Sequence, residues 1–174
     1  MASLRAALHA QTLSHGMSSP TLLVSRLNRL VYNSTPAAKF ITAFYGELDC
    51  ENGLVRYVNA GHCPPFHVLR SGQHNFLQVG GITLGLVEET KFVMGQIAIG
   101  QGEMIVLYTD GITEAMNLDH EEYGEERLAN ILNKNKNVSA LQLIDIIKKD
   151  IDEFTAGAPQ HDDMTLLIMR RDNL

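Results

Sequence analysis

Glu103-Met104-Ile105-Val106-Leu107-Tyr108-Thr109-Asp110-Gly111 is a mostly apolar run that ends on a carboxylate and a glycine. Apolar residues at successive positions, bounded by turn residues, read as a β-strand buried on both faces. Asp110 then sits at the end of that strand, and Gly111 lets the backbone turn sharply or approach a ligand closely. A second segment has the inverse arrangement. His161-Asp162-Asp163-Met164-Thr165 follows a loop carrying Gly157 and Pro159 and leads into an apolar strand over 164–170. Strand ends converge at a sheet edge, so these carboxylates are expected to meet there. Their oxygens are hard ligands, suited to magnesium or manganese rather than zinc. A lone Asp-Gly is equally a turn signal, and that reading stays open beside the metal one.

Outward from these segments the periodicity changes twice. Residues 2–12 read as a short helix with Leu4 and Leu8 on one face, stopping near His15-Gly16. Ser19-Pro20 supplies an N-cap and a first helical proline. Leu23, Leu27, Leu30 and Val31 then follow at helical spacing over 20–33. The middle is strand-like. Residues 39–48 are rich in aromatic and β-branched types, 49–53 form a turn, and 54–59 alternate as the return strand. Further strands are predicted over 66–70, 74–79 and 91–99, with Ser71-Gly72 and Gly80-Gly81 as breaks.

Helices return beyond Asp110. A short one runs from Gly124 to Leu132, with Glu125 and Glu126 in its dipole-favoured first turn. Ser139 and Gln142 make a capping box for a longer helix to about Phe154, packing through Leu141, Ile144, Ile147 and Ile151. Helices, many antiparallel strands, helices and one last strand describe an α+β layered domain, read as a single domain over residues 1–174.

The bulk composition excludes several classes. Of the residues, 45% are hydrophobic and 20% charged, as in a globular protein, and no apolar run reaches the roughly 18 residues that span a bilayer. The amphipathic N-terminus does not read as a signal peptide. Two cysteines, Cys50 and Cys63, fit a reducing compartment, so the cytoplasm is the expected location. The net charge of −6, without a Lys/Arg cluster, argues against nucleic acid as a partner. The same acidity makes a metal ion the natural candidate to hold the phosphoryl group of a phosphate ester bound here.

Five ordered motifs then resemble one family. Val106-Leu107-Tyr108-Thr109-Asp110-Gly111-Ile112-Thr113-Glu114-Ala115 is similar to the aspartate-glycine motif of the metal-dependent serine/threonine protein phosphatases (PPM), in the form of the SpoIIE/RsbU bacterial branch. Asp162-Asp163-Met164-Thr165 resembles that family's final metal motif. Asn59-Ala60-Gly61-His62-Cys63-Pro64-Pro65, Gly81-Ile82-Thr83-Leu84-Gly85 and Tyr123-Gly124-Glu125-Glu126-Arg127-Leu128 resemble three further signatures.

The resemblance implies a sandwich of two antiparallel sheets flanked by helices, with a two-metal Mn2+ or Mg2+ site at one end. Asp110 and Asp162 match its catalytic metal aspartates. Asp163 stands where relatives often carry Asn and is the secondary metal candidate. The implied chemistry is in-line attack by a metal-activated water bridging ions about 3.5–4 Å apart. The implied substrate is phosphoserine on a regulatory protein of the anti-anti-sigma type, and the implied setting includes an upstream sensor domain.

One departure matters. The family's other metal motif, a Gly-Asp-Val-Ser-Gly-His-Gly-like stretch, belongs just upstream of a helix resembling residues 1–12 and does not occur in these 174 residues. The expectation is therefore an N-terminally truncated domain lacking its first strands, with an incomplete metal site. An uncovered sheet edge in such a domain predicts pairing into a homodimer. A non-catalytic partner-binding or regulatory module of the same fold is the alternative function, and a fragment that does not fold is the third.

Other residues carry plainer readings. His62 is expected to shape its loop, with catalysis as the alternative. His161 either orients a metal ligand from behind or is solvated, and Glu114 lies on a solvated helix face or reaches a metal through water. Cys63 reads as a small packed residue.

Overall fold

The structure, a computed structural model, describes residues 19–34 and 40–172. The helix expected over 2–12 lies outside the described residues. Two compact units divide the chain: Met1–His62 with Gln78–Ala98, and Cys63–Leu77 with Ile99–Leu174.

In the first unit, α1 (Pro20–Ser34) starts on the Ser19-Pro20 signal. Its Leu23, Val24, Leu27 and Val31 are buried against Val58, Ala60, Leu84 and Phe92. Leu30, expected on the packed stripe, is exposed. Asn28 is also buried, and its amide is fully used. It donates to the carbonyls of Val87 and Glu88, both at 2.9 Å, and accepts from Gly85 N–H at 2.8 Å. A polar group is tolerated in this core because all its partners are met.

Strands β1 (Ala43–Asp49) and β2 (Leu54–Ala60) form an antiparallel hairpin in register from Ala43↔Ala60 to Asp49↔Leu54. The strand expected from 39 begins at Ala43. The Asp49 carboxylate holds the connecting turn by accepting from Glu51 N–H at 3.0 Å and Asn52 Nδ2 at 2.9 Å.

The Gly80-Gly81 break proves to be a short strand, β5, paired parallel with Asn59 and Ala60 of β2. The two glycines make this pairing sterically open, since a Cβ at Gly80 would lie 1.8 Å from the Asn59 carbonyl oxygen. This pair departs from the antiparallel expectation, as does the isolated parallel bridge Ala43↔Gly61. β6 (Gly95–Ala98) completes the sheet antiparallel to β2, shorter than the expected 91–99.

The second unit holds an antiparallel sheet in the order β4-β3-β7-β8. Its strands are β3 (Phe66–Val68), β4 (His74–Phe76), β7 (Met104–Tyr108) and β8 (Leu166–Arg170). β7 is central, with Met104, Ile105, Val106 and Tyr108 all buried, as its unbroken apolar sequence required. A one-turn helix α2 (Asp110–Thr113) follows it, then α3 (Glu125–Lys134) and α4 (Ala140–Thr155). Both arms of the Ser139/Gln142 capping box form at the start of α4.

The face that α4 buries keeps the expected Ile147 and Ile151 but takes Leu143 in place of Leu141. Leu143, Ile147 and Ile151 enter the core beside Leu128, Leu132, Phe66 and Val106, whereas Leu141 is 71% exposed. Each such buried Leu or Ile stabilises the fold by about 1.5–3 kcal/mol. Arg127 ties α3 to α4 through Asp150, at 2.7 and 3.2 Å, with its guanidinium over the Tyr123 and Phe154 rings. No helix among the described residues is long and apolar enough to cross a membrane.

Candidate functional site

The β7–β8 ladder ends at the pair Tyr108↔Leu166. Beyond it the two strands part, and both aspartate segments leave from that point. Asp110 opens α2, exposed, with its Oδ1 accepting from Gly111 N–H at 3.1 Å. Asp162 and Asp163 lie exposed in the loop leading into β8, and Asp162 Oδ1 accepts from Asp163 N–H at 2.7 Å. Gln160 Nε2 donates to the Asp162 carbonyl at 2.7 Å and steadies the same loop.

Two contacts hold these segments against each other. Gly111 is buried against the Asp162-Asp163 backbone, so closely that a Cβ there would lie 2.6 Å from the Asp163 carbonyl oxygen. Thr109 Oγ1 donates to that same carbonyl at 3.0 Å and accepts from Thr165 N–H at 2.9 Å. The segments 52 residues apart in sequence are therefore joined backbone to backbone. Thr109 was not singled out from the sequence. It stands inside the quoted aspartate-glycine motif, but the sequence alone assigns it no role.

A cleft of about 460 Å3 opens beside this junction. Gly111, Glu114, Glu122, Asp152, His161 and Asp162 stand on its walls, over apolar Met116, Ile151 and Met164. Its carboxylates make it an acidic cleft, and Glu122 and Asp152 are members that sequence spacing did not suggest. His161 and Glu114 are both exposed there.

Cys63 sits near Asp110 as a half-buried thiol. Burial, and after it the negative charge of Asp110, push that thiol up, which keeps it protonated and a packing residue. His62 belongs to the first unit, where Asn59 clasps its backbone. Asn59 Nδ2 donates to the His62 carbonyl at 3.0 Å, and Oδ1 accepts from His62 N–H at 2.8 Å, around Gly61 at a φ of 78°. That is a loop-shaping arrangement.

In kind, Asp110, Asp162 and Asp163 fit a hard divalent cation, being exposed carboxylates on closely joined backbones. In number they fall short of the roughly six oxygens such an ion takes. Among the described residues, no three His, Cys, Asp or Glu side chains are grouped to hold a metal.

Comparisons with known proteins agree on the kind of domain. The chain is 34% identical over 134 residues to Protein IcfG of Synechocystis, covering 77% of this chain and 21% of that protein. It is 27% identical over 153 residues to the phosphoserine phosphatase RsbU of Bacillus subtilis, covering 87% of this chain and 45% of RsbU. The chain thus spans less than half the length of these curated relatives. The SiaA-PP2C domain of Pseudomonas aeruginosa superposes with a TM-score of 0.82 over 97% of this chain and 68% of that one. At 19% identity that likeness shows the fold, the α+β arrangement of two sheets and helices found in PP2C-type phosphatases. The family described as "Stage II sporulation protein E (SpoIIE)" matches residues 1–172, and the chain belongs to it, as a phosphatase domain of the metal-dependent SpoIIE/RsbU type.

Proposed function

We propose that residues 1–174 act as one SpoIIE-type domain whose activity is hydrolysis of phosphoserine on a regulatory protein of the anti-anti-sigma type. Asp110 and Asp162 are its catalytic carboxylates and, with Asp163, contribute to binding Mn2+ or Mg2+. A divalent cation supplies Lewis acidity and an activated water to phosphoester hydrolysis. The residues of this chain contribute the hard oxygens, held on two loops that pack together. The observation that carries the reading is the seating of the Asp110-Gly111 turn on the Asp162-Asp163 backbone. The relationship to RsbU, a phosphoserine phosphatase, supports the phosphoserine substrate.

The proposal extends to setting and partners. The protein works in the cytoplasm, under control of an upstream sensor domain, on a phosphorylated protein partner. β1 and β8, each paired on one side only among the described residues, support association with a second copy. A strictly monomeric species in light scattering at high concentration would count against that last element.

A second reading is a non-catalytic binding or regulatory module of the same fold. It is favoured by the shortage of grouped ligands among the described residues. One experiment separates the two. In the full-length protein, Asp110→Asn and Asp162→Asn should each abolish Mn2+-dependent release of phosphate from a phosphoserine protein. Activity retained by both variants sinks the assignment, and no activity in the unmodified full-length protein favours the binding module.

A further inference from the structure

Just beyond the last pair of the β7–β8 ladder, Tyr108↔Leu166, the backbone pairing continues irregularly. Thr109 N–H donates to the Thr165 carbonyl at 3.1 Å, as an antiparallel pair requires. The reciprocal donor, Thr165 N–H, goes instead to the Thr109 hydroxyl at 2.9 Å. That hydroxyl spends its single proton on the Asp163 carbonyl at 3.0 Å. A side chain therefore replaces a backbone acceptor where the strands part, and it reaches into the segment that carries Asp162 and Asp163. Asp110 follows Thr109 directly, so one residue fixes both sides of the junction. Its β-branched side chain has few rotamers, so its position is transmitted stiffly.

We infer that Thr109 is a positioning residue whose hydroxyl sets the spacing between the Asp110 carboxylate and those of Asp162 and Asp163. The inference rests on the proposed metal role of these aspartates. Thr109 touches neither metal nor substrate; it acts through the backbones on which the ligands ride. Groups that orient ligands from behind in this way commonly govern affinity as strongly as some ligands do.

The test is Mn2+ binding to the full-length protein by titration calorimetry, at a temperature where circular dichroism shows every variant folded. Thr109→Val keeps the shape and removes the hydroxyl; it should lose about 10- to 100-fold in Mn2+ affinity. Thr109→Ser keeps the hydroxyl and should recover most of that loss. A threonine that merely supported the fold would lower the melting temperature and leave Mn2+ affinity in the folded protein unchanged. Asp110→Asn is the control on the underlying reading. If it leaves Mn2+ binding intact, the metal assignment fails and this inference with it. If Asp110→Asn loses binding while Thr109→Val keeps it, the inference alone is overturned. Should Thr109→Val not fold, amide hydrogen exchange at Thr165 in the unmodified protein decides, and unprotected exchange there overturns the clamp.

Discussion

Gly111 and the carbonyl of Asp163 meet so closely that a side-chain carbon at position 111 would lie 2.6 Å from the oxygen and 3.0 Å from its carbon. The neighbour is backbone and cannot swing aside as the tip of a flexible side chain would. Gly111→Ala should therefore push the Asp162-Asp163 loop away from Asp110. The expected cost is about 1–3 kcal/mol of stability, the usual range for overpacking. Urea denaturation measures that cost, and weakened Mn2+ binding should accompany it. An alanine variant as stable as the parent would show that the loop is free to move.

Glu103 gives a pH dependence away from the site. Burial disfavours its charged form, but the Gly100 N–H at 2.8 Å and His67 Nε2 at 3.0 Å outweigh burial and hold the carboxyl below the ordinary glutamate range. A pKa lower in the folded than in the unfolded state means that the unfolded chain binds the proton more readily. The stabilisation is complete above the unfolded value and is lost as pH falls through the folded one. Chemical denaturation should show stability falling between about pH 5 and pH 3, and Glu103→Gln should flatten that part of the profile. An unchanged slope in the variant would remove Glu103 as its source.

The face of α4 offers a paired test. Ile147 is fully buried and Leu141 is 71% exposed, although both lie on a stripe that the sequence alone permits. Ile147→Ala should cost about 2–5 kcal/mol, through lost burial and the cavity left behind. Leu141→Ala should stay within about 0.5 kcal/mol. Equal effects of the two substitutions in thermal or urea melts would mean the helix is rotated from the orientation described here.

That helix also illustrates where sequence reading stops. Leu141, Leu143, Ile144, Ile146 and Ile147 are apolar nearly all round, so two helical stripes fit equally well and only packing against β7 and α3 selects one. The capping box, in contrast, is local and was legible. β7 was legible because burial on both faces leaves an unbroken apolar run. Gly80-Gly81 reads locally as a break, and its pairing depends on how closely the distant Asn59 backbone approaches. At the candidate site, the aspartates announce themselves as carboxylates at strand ends. Thr109 does not, because its partners lie 54 and 56 residues away and involve backbone atoms that any residue supplies.

The shortage of donors around Asp110 sets the last expectation. Asp110, Asp162 and Asp163 supply fewer oxygens than the roughly six a divalent ion takes, and water must fill the remaining positions. Water holds an ion less firmly than fixed carboxylates do, because each added charged ligand strengthens the site. The 174 residues should therefore bind Mn2+ weakly and release little phosphate from a phosphoserine protein, and a longer chain that supplies further carboxylates should bind it more tightly. Calorimetry with Mn2+ on both chains, with circular dichroism to show that each is folded, makes the comparison direct. Tight binding and strong Mn2+-dependent turnover by the 174 residues alone would mean that these three aspartates, with residues outside the described set, already complete the site.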